Sequence, residues 1–341
     1  MRENSPIEAL IHLVQNTVAQ CRVQDRGNAT LIEALECFQQ SRLLPIYERT
    51  QKAKKKKYVL SLVGLTNVGK STLMEALLGV PAPKKNGPAT AIPVEYHHGD
   101  NWNLRVFHKD TSSAVETFDD PKKIDARLRQ LVVDVTPKAA ESTKWVTVSG
   151  PVPLLKDGLV MADTPGFGAA QIGEEDGSHQ KRLEDFIRNK IDRIYFCIAA
   201  GDTWAISDTE KQFYQMFSEL CGHVVVTKWE GSESEKEKYR SHYQDIFPSA
   251  TFIFTNAKMT EENGLQRLKD ILEKHTTAEK RVHISEQEMS EAFDSFLNYM
   301  ETVHNITSIP WSSFSLKSFL SSISERPEMS DISMRLKESN S

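Results

Sequence analysis

The segment Gly64-Leu65-Thr66-Asn67-Val68-Gly69-Lys70-Ser71 has the residue types and spacing to hold a chain of phosphates. It fits G-x-x-x-x-G-K-S, and Thr72 stands directly behind it. Its glycines let the backbone wrap closely around phosphate oxygens, with successive N–H groups pointing inward. A helix beginning at the end of the loop adds its positive N-terminal pole. Lys70 then reaches the β- and γ-phosphates, and the Ser71 hydroxyl ligates Mg²⁺. Gly64, Thr66, Asn67, Val68, Gly69, Lys70, Ser71 and Thr72 are the candidate cradle.

Met161-Ala-Asp163-Thr-Pro-Gly166 ends an apolar run in a D-x-x-G arrangement. A carboxylate at such a strand end holds the Mg²⁺ shell, directly or through water, and the Gly166 N–H sits where it senses the γ-phosphate. Thr90 lies between the two motifs, in Gly87-Pro-Ala-Thr-Ala-Ile-Pro93. A loop threonine that completes the metal shell only over a triphosphate makes its loop a switch. Ser71, Thr90 and Asp163 are therefore the expected metal set.

Base recognition is expected further along. Val224-Val-Val226 runs into Thr227-Lys228-Trp229-Glu230. Lys228 suits the face of a base. Glu230 suits the N1–H and exocyclic amine of guanine, which adenine does not offer in that geometry. Thr255-Asn256-Ala257-Lys258 ends the next strand and presents the Ala257 N–H to a guanine carbonyl.

These motifs need strands that stop at one edge and helices that start there. Tyr58–Val63 reads as a buried strand, and Leu73, Met74, Leu77 and Leu78 as one helix face closed by Gly79. Further strands are expected at 94–97, 104–108, 145–149, 159–162, 193–198, 223–227 and 251–254. Helices are expected at 124–133, 181–189, 208–220, 233–243 and 265–274. Such alternation predicts an α/β fold, a mainly parallel sheet covered by helices. Upstream, Ile7, Leu10, Ile11, Val14 and Val18 share a helix face, and a second helix runs from Thr30 to about Leu43, limited by Pro45. Downstream, Phe293, Phe296, Leu297, Met300 and Val303 form a stripe. The expected division is a helical segment at 1–54, a nucleotide-binding domain at 55–276, a helical segment at 277–324 and a polar tail at 325–341.

Composition bounds the partners. The 341 residues carry a net charge of −5, with 26% charged and 39% hydrophobic residues. That is a soluble globular balance without the basic footprint of a nucleic-acid binder. Four scattered cysteines read as reduced thiols. The first residues lack the layout of a secretory signal, and no apolar run is long enough to span a bilayer. The expected setting is the cytoplasm, with peripheral membrane association.

Taken in order, Gly64–Ser71, Thr90, Asp163–Gly166, Thr227–Glu230 and Asn256–Lys258 resemble the motif set of the translation-factor-related P-loop GTPases. Leu77-Leu-Gly79, Pro88-Ala-Thr-Ala-Ile-Pro93, the stretch from Trp145 to Gly168 and the preceding helical segment narrow the resemblance to dynamin-like GTPases of the bacterial type. The resemblance implies GTP hydrolysis to GDP and phosphate with Mg²⁺, stimulated by dimerisation through the nucleotide face, together with membrane-linked work. It implies as partners a second copy or a larger dynamin-like relative, and a lipid membrane. Most GTPases carry Asp at the position of Glu230, and many small ones carry a water-orienting Gln at the position of Phe167. Relatives with a hydrophobic residue there position water with the switch loop and its Thr90 equivalent. Asn67 resembles the asparagine that ligates K⁺ in cation-dependent relatives, so Lys70, Thr90 and Asn67 are the expected catalytic residues and K⁺ a candidate cofactor. The short helical ends predict a neck rather than an elongated stalk.

Two rival functions remain open on sequence: a GTP-gated interaction module with little hydrolysis, and a cation-dependent GTPase of ribosome or tRNA work. The acidic balance disfavours the second. Lys54–Lys57 suits either phosphate headgroups or a solvated lead-in to the first strand. Trp311–Ile323 suits either a lipid interface or packing against the neck. His97-His98 reads as a strand end.

Overall fold

A computed structural model describes residues 5–23, 29–80, 82, 92–110, 112–133, 142–167, 178–201, 204–248, 250–258, 264–306, 309, 311 and 319–320. The chain divides into two compact units: Lys56–Thr277, and Met1–Lys55 together with Ala278–Ser341.

The larger unit is built on one nine-stranded sheet. Its strands are β1 (Tyr58–Val63), β2 (Val94–His98), β3 (Trp102–His108), β4 (Ser113–Phe118), β5 (Thr143–Gly150), β6 (Leu159–Asp163), β7 (Arg193–Ala199), β8 (Cys221–Thr227) and β9 (Thr251–Phe254). The order is β4-β3-β5-β2-β6-β1-β7-β8-β9. The pairs β1–β6, β1–β7, β2–β5, β7–β8 and β8–β9 are parallel. The pairs β2–β6, β3–β4 and β3–β5 are antiparallel. The sheet is thus parallel through its centre and mixed at the β4 edge. Central strands such as β6 are buried at every position, as expected when helices cover both faces.

Helices flank it. Lys70–Leu78, Pro121–Leu128 and Leu265–Glu273 contribute Leu73, Met74, Ile124, Leu128, Leu268 and Leu272 to one core. Ser178–Lys190, Asp208–Met216 and Glu233–Tyr243 contribute Leu183, Ile187, Phe213, Tyr239 and Tyr243 to the core on the other face. Reciprocal capping boxes, Ser207 with Glu210 and Ser232 with Glu235, start the last two of these helices.

The smaller unit packs α1 (Pro6–Val23), α2 (Ala29–Phe38), α3 (Leu44–Ala53) and a long helix, Ala278–His304, around Leu10, Val14, Leu35, Phe38, Met289 and Phe293. Phe38 stacks on Phe296 at 4.4 Å, and Arg49 pairs with Glu288 at 2.8 Å. Pro45 does not limit a helix here. A five-residue π turn, Gln39–Leu43, leads directly into α3 and carries Pro45 in that helix's first turn, a position where proline is tolerated. Trp311 and Phe319 are buried in this same core, so the described part of 311–323 packs inward. Among the described residues no helix is long and apolar enough to cross a membrane.

Candidate functional site

The cradle forms where β1 ends and α4 (Lys70–Leu78) begins. Two residues take the left-handed conformation that a tight turn requires: Gly69, with φ +102°, and Asn67, with φ 66°. Glycine adopts it at little cost, and asparagine is among the side chains that tolerate it best. This turn brings Lys70 back over the loop, where its Nζ donates to the carbonyls of Gly64 (2.9 Å) and Leu65 (2.8 Å). Lys70 is buried, and burial lowers its pKa while the nearby Asp163 opposes the shift.

Asp163 ends β6, beside β1 in the parallel register Leu62–Asp163. It therefore lies at the same edge as the cradle, although 92 residues separate it from Ser71. The Ser71 hydroxyl donates to Asp163 Oδ2 at 2.7 Å. Burial pushes the Asp163 carboxyl up to about 6, with Lys70 and the Ser71 hydrogen bond pulling it back. Its Oδ1 is buried with no hydrogen-bond partner among the described residues. An unpartnered carboxylate oxygen beside a hydroxyl is an all-oxygen donor set, which suits Mg²⁺ completed by water and substrate phosphates. Ser71 and Asp163 would hold that ion.

Gly166 lies against the cradle. A Cβ there would meet the Thr66 backbone at 2.5–2.6 Å, so only glycine allows this approach. Phe167 pairs with Leu65 in an isolated bridge and is buried, its ring stacked on Phe213 at 4.1 Å. Thr90 lies outside the described residues.

The segments expected to read a base follow β8 and β9 at the same edge. Thr227 Oγ1 donates to the Val68 carbonyl and to that of Ile198 at 3.2 Å. Lys228, at φ 55°, extends its Nζ to the Asn67 carbonyl at 2.7 Å. Asn256 is buried and donates from Nδ2 to the Trp229 carbonyl (3.2 Å), while its Oδ1 accepts from the Lys258 N–H (3.2 Å). It therefore organises both loops. Glu230 and Lys258 are exposed, and Ala257 is half-buried. Thr72 is half-buried on the first turn of α4.

Sequence reasoning missed two supports. The buried Thr164 donates to the Leu62 carbonyl at 3.0 Å and ties the D-x-x-G turn to β1. Ser61 donates to the Ala162 carbonyl at 3.1 Å across the same two strands. A hydroxyl inside an apolar strand is a weak signal, because its partner is set by register alone.

Residues 60–220 match the profile of the dynamin family. The chain is 26% identical over 143 residues to the interferon-induced GTP-binding protein MxA of Danio rerio, covering 39% of this chain and 21% of that protein. It is 26% identical over 189 residues to mitofusin-2 of Rattus norvegicus, covering 52% and 22%. The chain thus spans about a fifth of the length of these relatives. A solved structure of an oligomerised bacterial dynamin pair, described as a mechanism for long-range sensing and tethering of membranes, is similar over 86% of this chain and 57% of that one, with a TM-score of 0.50 and 15% identity. Residues 60–220 thus resemble the dynamin-family GTPases in sequence, and a mixed α/β sheet brings the cradle, the D-x-x-G turn and the loops after β8 and β9 to one edge.

Proposed function

We propose that the protein binds GTP with Mg²⁺ and hydrolyses it to GDP and phosphate. The observation that carries this reading is the Ser71 hydrogen bond to the buried Asp163, with the buried Lys70 at the N-terminus of α4 close by. Phosphoryl transfer is mostly positioning and charge neutralisation. Bound Mg²⁺ supplies charge neutralisation at the β/γ oxygens. Lys70 adds its positive charge there, and the loop N–H groups orient the chain of phosphates. Water attacks the γ-phosphorus, the bond to the β–γ bridging oxygen breaks, and the water proton passes to the departing phosphate. Phe167 has no group to orient that water, which assigns the task to backbone groups and to Thr90. Asn67 is the candidate K⁺ ligand.

Guanine is read by Glu230 and the Ala257 N–H, with Lys228 along the base. The larger unit acts as the G domain and the helical unit as a short neck. Dimerisation through the nucleotide face accelerates hydrolysis, with a second copy or a larger dynamin-like relative as partner and peripheral membrane contact as the working context. The dynamin-family match and the description of the bacterial dynamin pair as sensing and tethering membranes support this context. The buried Phe167 favours one alternative, a GTP-gated interaction module with little hydrolysis. Phosphate release measured over a hundredfold range of protein concentration separates the two. Specific activity that climbs with concentration supports a dimer-activated enzyme; GTP binding with no turnover at any concentration selects the module.

A further inference from the structure

We propose that the face of β2, β5 and β3 opposite Ile124 and Leu128 is a binding site for a small anion bearing several phosphoryl groups. On one face of these strands Val94, Tyr96, Leu104, Val106, Val146 and Val148 join the core with Ile124 and Leu128. The alternate residues line a hollow of about 1020 Å³ on the other face.

Register sets its floor. His97, Ser149 and Asn103 form one cross-strand rank; Glu95, Thr147 and Arg105 form the next; Trp145 and Phe107 close the end. Ranks lie ~7 Å apart along a strand and neighbouring strands ~5 Å apart, so the floor measures about 10 by 14 Å. That is too large for one phosphate and suited to a compact molecule carrying several. The Thr147 and Ser149 hydroxyls have no hydrogen-bond partner among the described residues and are half-buried.

Charge selects the ligand. Lys56, Lys57, Lys156, Lys190 and Arg105 converge on the hollow, and among the described residues none of them forms an ion pair. Lys190 sits over the Trp145 ring at 4.0 Å, and Arg105 lies 5.8 Å from the Phe107 ring centroid. Two acids face the same space. Glu95 is buried and engaged by His97 at 3.1 Å, which leaves Asp157 as the exposed carboxylate against five cations. Five cations facing two carboxylates leave the hollow with a positive excess, which favours a multiply charged anion over a neutral ligand. The recessed floor disfavours a flat bilayer, which would meet the rim and leave Thr147 and Ser149 untouched.

Inorganic tripolyphosphate is the probe, titrated into the full chain by calorimetry at physiological salt. With the nucleotide cradle filled by saturating GDP and Mg²⁺, the expected result is one saturable site that weakens at least tenfold in the double variant Arg105→Gln/Lys156→Gln. It persists in Lys70→Ala, which alters the nucleotide cradle, and in Lys181→Gln/Lys238→Gln, which removes two exposed charges elsewhere. Both tested side chains are exposed, and an unchanged melting temperature checks that the variant folds. Absence of saturable binding, full affinity in Arg105→Gln/Lys156→Gln, or equal loss in either control variant overturns the proposal. So does binding confined to vesicles bearing phosphorylated headgroups, since that assigns the lysines to a membrane surface.

Discussion

The proposed phosphate end and the proposed base end of the site are built on opposite terms. At the phosphate end, Lys70 and Asp163 are buried and Ser71 is bonded to Asp163, all held by the β1–β6 register. At the base end, Lys228, Glu230 and Lys258 are exposed and hang from loops that the buried Asn256 and Thr227 organise. A buried charged cluster gains strength from low dielectric and tolerates little change. An exposed one discriminates weakly and tolerates drift, which is where the departure from the usual aspartate occurs, at Glu230.

That contrast ranks the expected effects. Lys70→Ala should lower GTP turnover most, by about a thousandfold or more, in line with removal of a fixed charge at a transferring phosphoryl group. Turnover within tenfold of wild type would remove Lys70 from the chemistry.

Asp163→Asn should separate function from stability. In the nucleotide-free protein the Asp163 pKa is raised from 3.8 to about 6. The folded state therefore holds a proton that the unfolded state releases, so stability falls as pH climbs from about 4 through 6. Above that window the ionised buried carboxylate costs about 3 kcal/mol, an upper bound at 1.36 kcal/mol per pKa unit. Asp163→Asn should abolish Mg²⁺-dependent nucleotide binding yet raise the melting temperature at pH 7.5, and flatten its dependence between pH 4.5 and 7. A melting temperature that falls in parallel with wild type across that range would show that burial does not set the carboxyl.

At the base end changes should be milder. Glu230→Asp should tighten GTP binding severalfold with ATP unchanged, and Glu230→Ala should cut the GTP-over-ATP preference by about tenfold. Equal GTP affinity in all three proteins would take Glu230 out of base recognition. Asn67→Gly should have the smallest effect. Glycine keeps the left-handed backbone, so binding persists while any K⁺ stimulation over Na⁺ is lost. Stimulation that survives the change would assign the cation elsewhere.

The same contrast explains what the sequence made legible. The cradle was readable because a strand, a glycine turn and a helix follow one another within a few residues, and the observed helix starts at Lys70 as the motif requires. The meeting of Ser71 with Asp163 was inferable only through the motif pair, since register joins them. The β4 strand went unread because Ser113–Phe118 is an edge with Val115 exposed, so no apolar alternation marks it. The helix after Leu43 was hidden by Pro45, whose helix-breaking reputation fails in a first turn. The hollow on β2, β5 and β3 left no local signature, because Lys56, Arg105, Lys156 and Lys190 are gathered only by sheet order.

The buried phosphate end is proposed to turn over GTP. Its most direct test is phosphate release from saturating GTP and from saturating ATP, with Mg²⁺ in K⁺ buffer, for the full chain beside Lys70→Ala. Release from GTP should exceed release from ATP and vanish in Lys70→Ala. Release that persists in Lys70→Ala, or that is equal for both nucleotides, would contradict that proposal.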